Sequence, residues 1–150
     1  MVVNSKKRVR LCIALIIANM AFIWGNSLLP AHISAAFSGW VRNILLFFLP
    51  AGEETPIQGT GLLRKIAHVL EFACLGALWC RYLLLGRKKP ALAYLPGLCT
   101  ACIDETIQCF VPGRGPRVTD VMIDLGGFSL GMAVILLIQY LKSKKWRTQS

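Results

Sequence analysis

Charged residues are scarce in this sequence, and acids are the scarcest. Of its 150 residues 16% are charged and 55% are hydrophobic, with seven acids against seventeen bases. A soluble domain has about a quarter charged residues, so this chain has too little polar surface to cover a water-soluble globule. Disorder is excluded for most of the length, since disordered segments are poor in hydrophobic residues. The composition therefore predicts one small membrane domain over residues 1–150.

The sequence also lacks an established catalytic or metal-binding motif. It contains no HExxH, no GxSxG and no glycine-rich phosphate loop, so whether the protein is an enzyme stays open. His68, beside Glu71 and the aspartates, offers one imidazole among oxygen atoms, which is a weak zinc signal. We therefore predict no metal and no cofactor.

The cysteines do not form the pattern of a disulfide framework. Five of the six lie inside apolar runs, where cysteine packs as a small hydrophobic residue. Cys99 and Cys102 form a CxxC, but no second pair follows at the spacing of a zinc ribbon. We predict that the cysteines serve in packing rather than in redox chemistry or metal binding.

Four apolar segments have the length of membrane-spanning helices: residues 11–29, 62–85, 91–111 and 125–141. At 1.5 Å per residue the first reaches about 28 Å, close to a bilayer core of about 30 Å. Residues 31–49 lie between two prolines and repeat apolar residues at helical spacing, beginning with Ile33 and Phe37. We predict an all-α polytopic membrane protein with four transmembrane helices, plus an interfacial or re-entrant helix between the first and the second.

The basic residues predict the orientation. Twelve of the seventeen fall at the N-terminus, after the second span and at the C-terminus, on one side of an even number of spans. The positive-inside rule places that side in the cytoplasm, which makes residues 1–10 and 142–150 basic cytoplasmic tails. Because topology explains the basic runs, we predict the lipid bilayer as a partner and no nucleic acid.

Ionisable residues inside the apolar segments are the unusual feature. Counted inward from the outer ends of their spans, His68 lies about 9 Å deep, Glu71 about 13 Å and Asp104 about 10 Å. Three spans thus bring such groups to overlapping levels beneath the outer surface. The predicted site residues are Lys65, His68, Glu71, Asp104, Glu105, Gln108, Arg114, Asp120 and Asp124.

The cost of membrane burial predicts that these residues face one another. An unpaired charge in hydrocarbon costs at least about 2.5–3.5 kcal/mol, so we expect Lys65 and the arginines to pair with the acids. Two interpretations then compete: a structural network of ion pairs, or a pocket open to the outer leaflet. Ionisable residues within a membrane favour the second, functional interpretation.

Two blocks of the sequence resemble the VanZ-like membrane family. Residues 63–72, LRKIAHVLEF, are similar to its K-x-x-H-x-x-E-[YF] signature, and residues 104–131, DETIQCFVPGRGPRVTDVMIDLGGFSLG, to its D-E-x-x-Q-x-F-x-P-G-R pattern with the aspartates and glycine that follow. The stretch from Ser27 to Pro30, with Ser34 and Ser38, resembles its weaker serine motif. The similar core extends over about residues 22–134, and the family's polar signature falls on the nine site residues.

The resemblance implies a multi-pass protein of the bacterial cytoplasmic membrane. The family is named for a protein linked to resistance to the lipoglycopeptide teicoplanin, which implies an interaction with a cell-envelope component or an amphipathic antibiotic. A lipid-linked wall precursor or a lipoglycopeptide is then the expected partner. Two alternatives stay open: a membrane-embedded enzyme acting on a lipid-linked wall precursor, and a structural scaffold of the envelope.

Overall fold

The regular structure of the described residues is helical throughout. The computed structural model describes residues 2–30, 33 and 60–147. Within these ranges lie helices α1 (Val2–Ser27), α2 (Thr60–Leu85), α3 (Tyr94–Cys109) and α4 (Val118–Arg147), with a 3₁₀ turn at Pro90–Ala93. The all-α class is confirmed for this part of the chain. The predicted interfacial or re-entrant helix at 31–49 lies outside the described residues except at Ile33.

Three of the described helices are long and apolar enough to cross a membrane. These segments are Lys6–Ser27, Leu63–Leu85 and Val118–Lys145, and they correspond to three of the four predicted spans. The other predicted span, 91–111, contains α3, whose 16 residues reach only about 24 Å. Four complete crossings therefore stay a prediction.

Local sequence explains the helix ends. Pro30 follows α1, and a proline disfavours helical backbone in the residue before it. Helix α2 ends in a Schellman motif, in which the Lys88 amide donates to the Leu83 carbonyl at 2.8 Å. Arg87 has a φ of 54° in this motif, the left-handed conformation in which glycine is usual. The turn reverses the chain toward α3.

Successive helices run in opposite directions. Asn26, near the end of α1, bonds to Glu71 in the first half of α2. Gln108, near the end of α3, bonds to Ser27. Lys65, near the start of α2, pairs with Asp120 at the start of α4. The end of α1, the start of α2, the end of α3 and the start of α4 therefore meet at one end of the bundle, which we call the polar end.

Glycines bring α2 and α4 into backbone contact. A Cβ atom added at Gly131 would lie 1.8 Å from the carbonyl oxygen of Ala73, and one at Gly127 would lie 2.5 Å from that of Val69. No side chain fits at either position, so this GxxxG sequence allows the two helices to pack closely. The close approach sets the distance between the α2 and α4 residues at the polar end.

Apolar side chains fill the interior and also cover the outside. Ile23, Phe72, Leu75 and Phe128 are fully buried in one core between the helices. Large apolar residues such as Leu11, Ile17, Leu95 and Leu137 have more than half of their surface exposed. An apolar exterior of this kind suits acyl chains rather than water.

All six cysteines lie in the described ranges, and all are free thiols. Cys12 and Cys80 are buried, whereas Cys99 and Cys102 are exposed on α3. The CxxC therefore forms no disulfide in this structure.

Replacing Gly131 with alanine tests the backbone contact. Gly131→Ala forces α2 and α4 apart, and overpacking of this kind lowers the free energy of unfolding by at least about 1–3 kcal/mol. The matched control is Gly126→Ala on the same helix, where a Cβ meets nothing within 4 Å. There alanine raises stability by about 0.5–1 kcal/mol through helix propensity. Thermal unfolding in lipid nanodiscs measures the stability of both variants. Equal effects of the two substitutions on stability would contradict the backbone contact between α2 and α4.

Candidate functional site

The polar end contains a cluster of side chains from all four described helices. We define this polar cluster as Asn26, Ser27, Lys65, His68, Glu71, Asp104, Glu105, Gln108, Arg114, Asp120 and Asp124. Its centre is buried: Asp104 is 0% exposed, Asp124 2% and Gln108 3%. Buried polar groups of this number are costly unless they have partners, so their contacts determine what the cluster can do.

Gln108 connects α3 to α1. Its amide donates to Asp104 Oδ2 at 2.9 Å, one turn earlier on α3, and to Ser27 Oγ at 3.3 Å. Ser27 is fully buried, and its carbonyl oxygen accepts a hydrogen bond from Arg114 Nη1 at 3.4 Å. The last residue of α1 is therefore held by α3 and by the loop that follows α3.

Glu71 finds its partner on α1. Its Oε1 accepts a hydrogen bond from Asn26 Nδ2 at 2.6 Å, while its Oε2 is buried with no hydrogen-bond partner among the described residues. Glu71 is one of the site residues predicted from sequence, whereas Asn26 is not among them. The available signal was an amide beside a serine at the end of an otherwise apolar helix.

His68 lies between two aspartates from different helices. Its Nδ1 is 3.9 Å from Asp104 Oδ2 and 3.9 Å from Asp124 Oδ1. One donor atom from each of the three residues lies within 4.8 Å of the others, so the group could hold a metal ion. A cavity of about 10 Å³ at this position is lined by His68, Gln108 and Asp124 together with Arg64, Lys65, Glu105 and Asp120. That volume is room for about one water molecule or ion.

The charged residues nearer the surface pair less than predicted. Lys65 Nζ lies 3.9 Å from Asp120 Oδ1, as expected. Glu105 instead accepts a hydrogen bond from the backbone amide of Arg117 at 2.8 Å, so its carboxylate stabilises the start of α4. Arg114 donates to a backbone carbonyl, and within the described residues neither Arg114 nor Arg117 forms an ion pair with an acid.

Arg114 lies on the loop between α3 and α4. Gly113, with a φ of 78°, makes the turn before it, a conformation that glycine adopts without strain. Burial, and next the Arg64 guanidinium, lower the pKa of Arg114. Its Nε is buried and has no hydrogen-bond partner among the described residues. A partly buried cation with a buried, unused donor favours an anionic partner.

All nine residues predicted from sequence belong to the polar cluster. Helix α4 begins at Val118 rather than at residue 125, so Asp120 and Asp124 lie inside the helix, one turn apart. Asn26 and Ser27 are the additions to the set. What the nine residues bind stays a prediction.

The comparisons with known proteins bear on this site. No curated protein and no solved structure matches the chain. The family model described as VanZ/LLP1 matches residues 9–139, a range that includes every member of the polar cluster. With most of its length matched, the chain belongs to the VanZ/LLP1 family.

Proposed function

We propose that the protein crosses the bacterial cytoplasmic membrane four times, with both termini in the cytoplasm. The described parts of the basic tails, residues 2–10 and 142–147, lie at the end of the bundle opposite the polar cluster, as does Arg81, which lines one cavity with Gln139 and Lys142. Positive residues accumulate on the cytoplasmic side. The polar cluster then faces the outer leaflet, with α3 as the shortest crossing.

We further propose that the polar cluster binds the headgroup of an amphipathic envelope molecule, either a lipid-linked wall precursor or a lipoglycopeptide. The observation that supports this function is a set of buried polar atoms of both charge types without a hydrogen-bond partner in the described chain. Arg114 Nε is an unused donor, and Glu71 Oε2, Asp104 Oδ1 and Asp124 Oδ2 are unused acceptors.

A purely structural network would use these atoms. Each unsatisfied buried polar group costs about 1–3 kcal/mol, and native interiors leave few of them. Arg114 and Lys65 suit a phosphate or carboxylate, while the acids suit an amine or another cation. A headgroup containing both charge types satisfies both sets, and its lipid or acyl chain can lie against the apolar exterior.

A second function is favoured by the position of His68. An imidazole between two carboxylates is suited to moving a proton, so the cluster could also act as the acid and base of an enzyme that modifies a lipid-linked precursor. This function requires a chemically changed precursor as its product.

Binding in nanodiscs tests the proposed function. Wild-type protein is titrated with a polyprenyl-diphosphate-linked wall precursor and, separately, with teicoplanin. Arg114→Gln removes the unused donor and is expected to weaken binding about 10–100-fold, which is typical for loss of a hydrogen bond to a charged group.

Arg81→Gln is the matched control, because Arg81 lies at the opposite end of the bundle. It should bind like the wild type. Equal binding by Arg114→Gln and wild type, or no binding by the wild type, would contradict the proposal. Mass spectrometry of the same mixtures tests the second function, and an unchanged precursor excludes it for that substrate.

Thiol labelling tests the orientation. Gly115→Cys lies on the loop at the polar end, where a side chain meets nothing within 4 Å, and Ser143→Cys lies near the opposite end. In a background without the native cysteines, a membrane-impermeant maleimide should label position 115 in intact cells. It should label position 143 only after permeabilisation, and the reverse pattern would contradict the orientation.

A further inference from the structure

We infer that His68, Asp104 and Asp124 form a binding site for a divalent transition-metal ion of the Zn²⁺ or Mn²⁺ class. The three residues come from α2, α3 and α4, so one ion would connect three helices. The inference goes beyond headgroup binding and does not depend on it. It departs from the sequence-based prediction of no metal, because the sequence does not show that two aspartates from other helices approach the same imidazole nitrogen.

The distances favour an ion over direct contact. His68 Nδ1 is equally far, 3.9 Å, from an oxygen of each aspartate. A protonated imidazole bonded to a carboxylate would approach to about 2.7–2.9 Å. Two atoms that each bind zinc at about 2.0–2.2 Å in a tetrahedral site are themselves about 3.3–3.6 Å apart, which is nearer to the observed distance than a direct hydrogen bond would be.

The unused atoms give an independent reason. His68 Nδ1, Asp104 Oδ1 and Asp124 Oδ2 are each buried and have no hydrogen-bond partner within the described residues. Asp104 and Asp124 are at least nine-tenths buried, so solvent does not compensate for the missing bonds. The two oxygens belong to the same carboxylates whose other oxygens lie 3.9 Å from His68 Nδ1, and a cation held by both carboxylates would provide the partner that these atoms lack.

Charge and donor type point to the class of ion. Four carboxylates in and around the cavity outnumber three nearby cations. The acids are Asp104, Glu105, Asp120 and Asp124, and the cations are Arg64, Lys65 and Arg114. Imidazole nitrogen suits zinc and other transition metals, and carboxylate oxygen suits manganese. With three protein ligands, coordination positions stay open for water or a ligand oxygen.

Gln108 is an outer partner of this site, which means that it bonds to a metal ligand and not to the metal. Its amide donates to Asp104 Oδ2 at 2.9 Å and so fixes the orientation of that carboxylate. Outer partners of this kind tune metal affinity without touching the metal. Gln108→Leu should therefore weaken binding about 10–100-fold, less than loss of a direct ligand.

The experiment uses the full chain in nanodiscs, stripped with a chelator and then titrated with Zn²⁺ or Mn²⁺ alone. The wild type should bind one ion per chain with three protein ligands, and the bound ion should raise its thermal midpoint. Asp104→Asn and Asp124→Asn should each weaken binding more than about 100-fold, beyond the loss typical of an outer partner, and abolish the metal-induced rise of the midpoint.

Thr106→Val is the matched control, since Thr106 lies two residues from Asp104 on α3 and its exposed hydroxyl bonds to the Cys102 carbonyl, outside the polar cluster. It should bind the ion like the wild type. The inference is overturned if the wild type binds no ion, or if the aspartate variants bind as tightly as the control. An equal loss of ion binding in the two aspartate variants and in the control would also overturn the inference. Because no amphipathic ligand is present, a negative result leaves the proposed headgroup function intact.

Discussion

The structure depends on the cost of placing ionisable side chains on helices that are otherwise apolar. Such groups are stable only if polar atoms from other helices surround them. Asp104 and Gln108 on α3 meet Ser27 of α1, and Glu71 on α2 meets Asn26 of α1. The polar contacts at one end therefore determine which helix faces meet there, while apolar packing alone would allow many arrangements.

The glycines of α4 make this arrangement possible. Gly127 and Gly131 let α4 touch the backbone of α2, and this close approach places Asp124 beside His68. Without it, His68, Gln108 and Asp124 from three helices would not line one cavity the size of a single ion. The stability of the bundle and the chemistry of the site thus depend on the same helix contact.

Much of the fold and of the site could be predicted from sequence, because both follow from a few strong physical rules. Apolar runs predicted the long helices, and polar residues inside those runs or next to their ends predicted the nine site residues. Asn26 was missed because, unlike Gln108, it has no ionisable residue one turn away on its own helix. The start of α4 at Val118 was missed because hydropathy detects the apolar run and not the polar turns before it.

The partners within the cluster were harder to predict. Lys65 pairs with Asp120 as expected, since opposite charges on neighbouring helices attract over several ångströms. Arg114 bonds instead to the Ser27 carbonyl, and Glu105 to the Arg117 amide. Backbone groups exist at every residue, so a sequence does not indicate which of them is free at a turn or at a helix end.

A double-mutant cycle on Asn26 and Glu71 tests most directly whether polar groups from separate helices meet at the polar end. Unfolding free energies are measured in nanodiscs for the wild type, Asn26→Leu, Glu71→Leu and the double variant. The 2.6 Å contact predicts a coupling energy of about 0.5–3 kcal/mol between the two positions. Effects that add to within about 0.3 kcal/mol, as they do for independent sites, would contradict it.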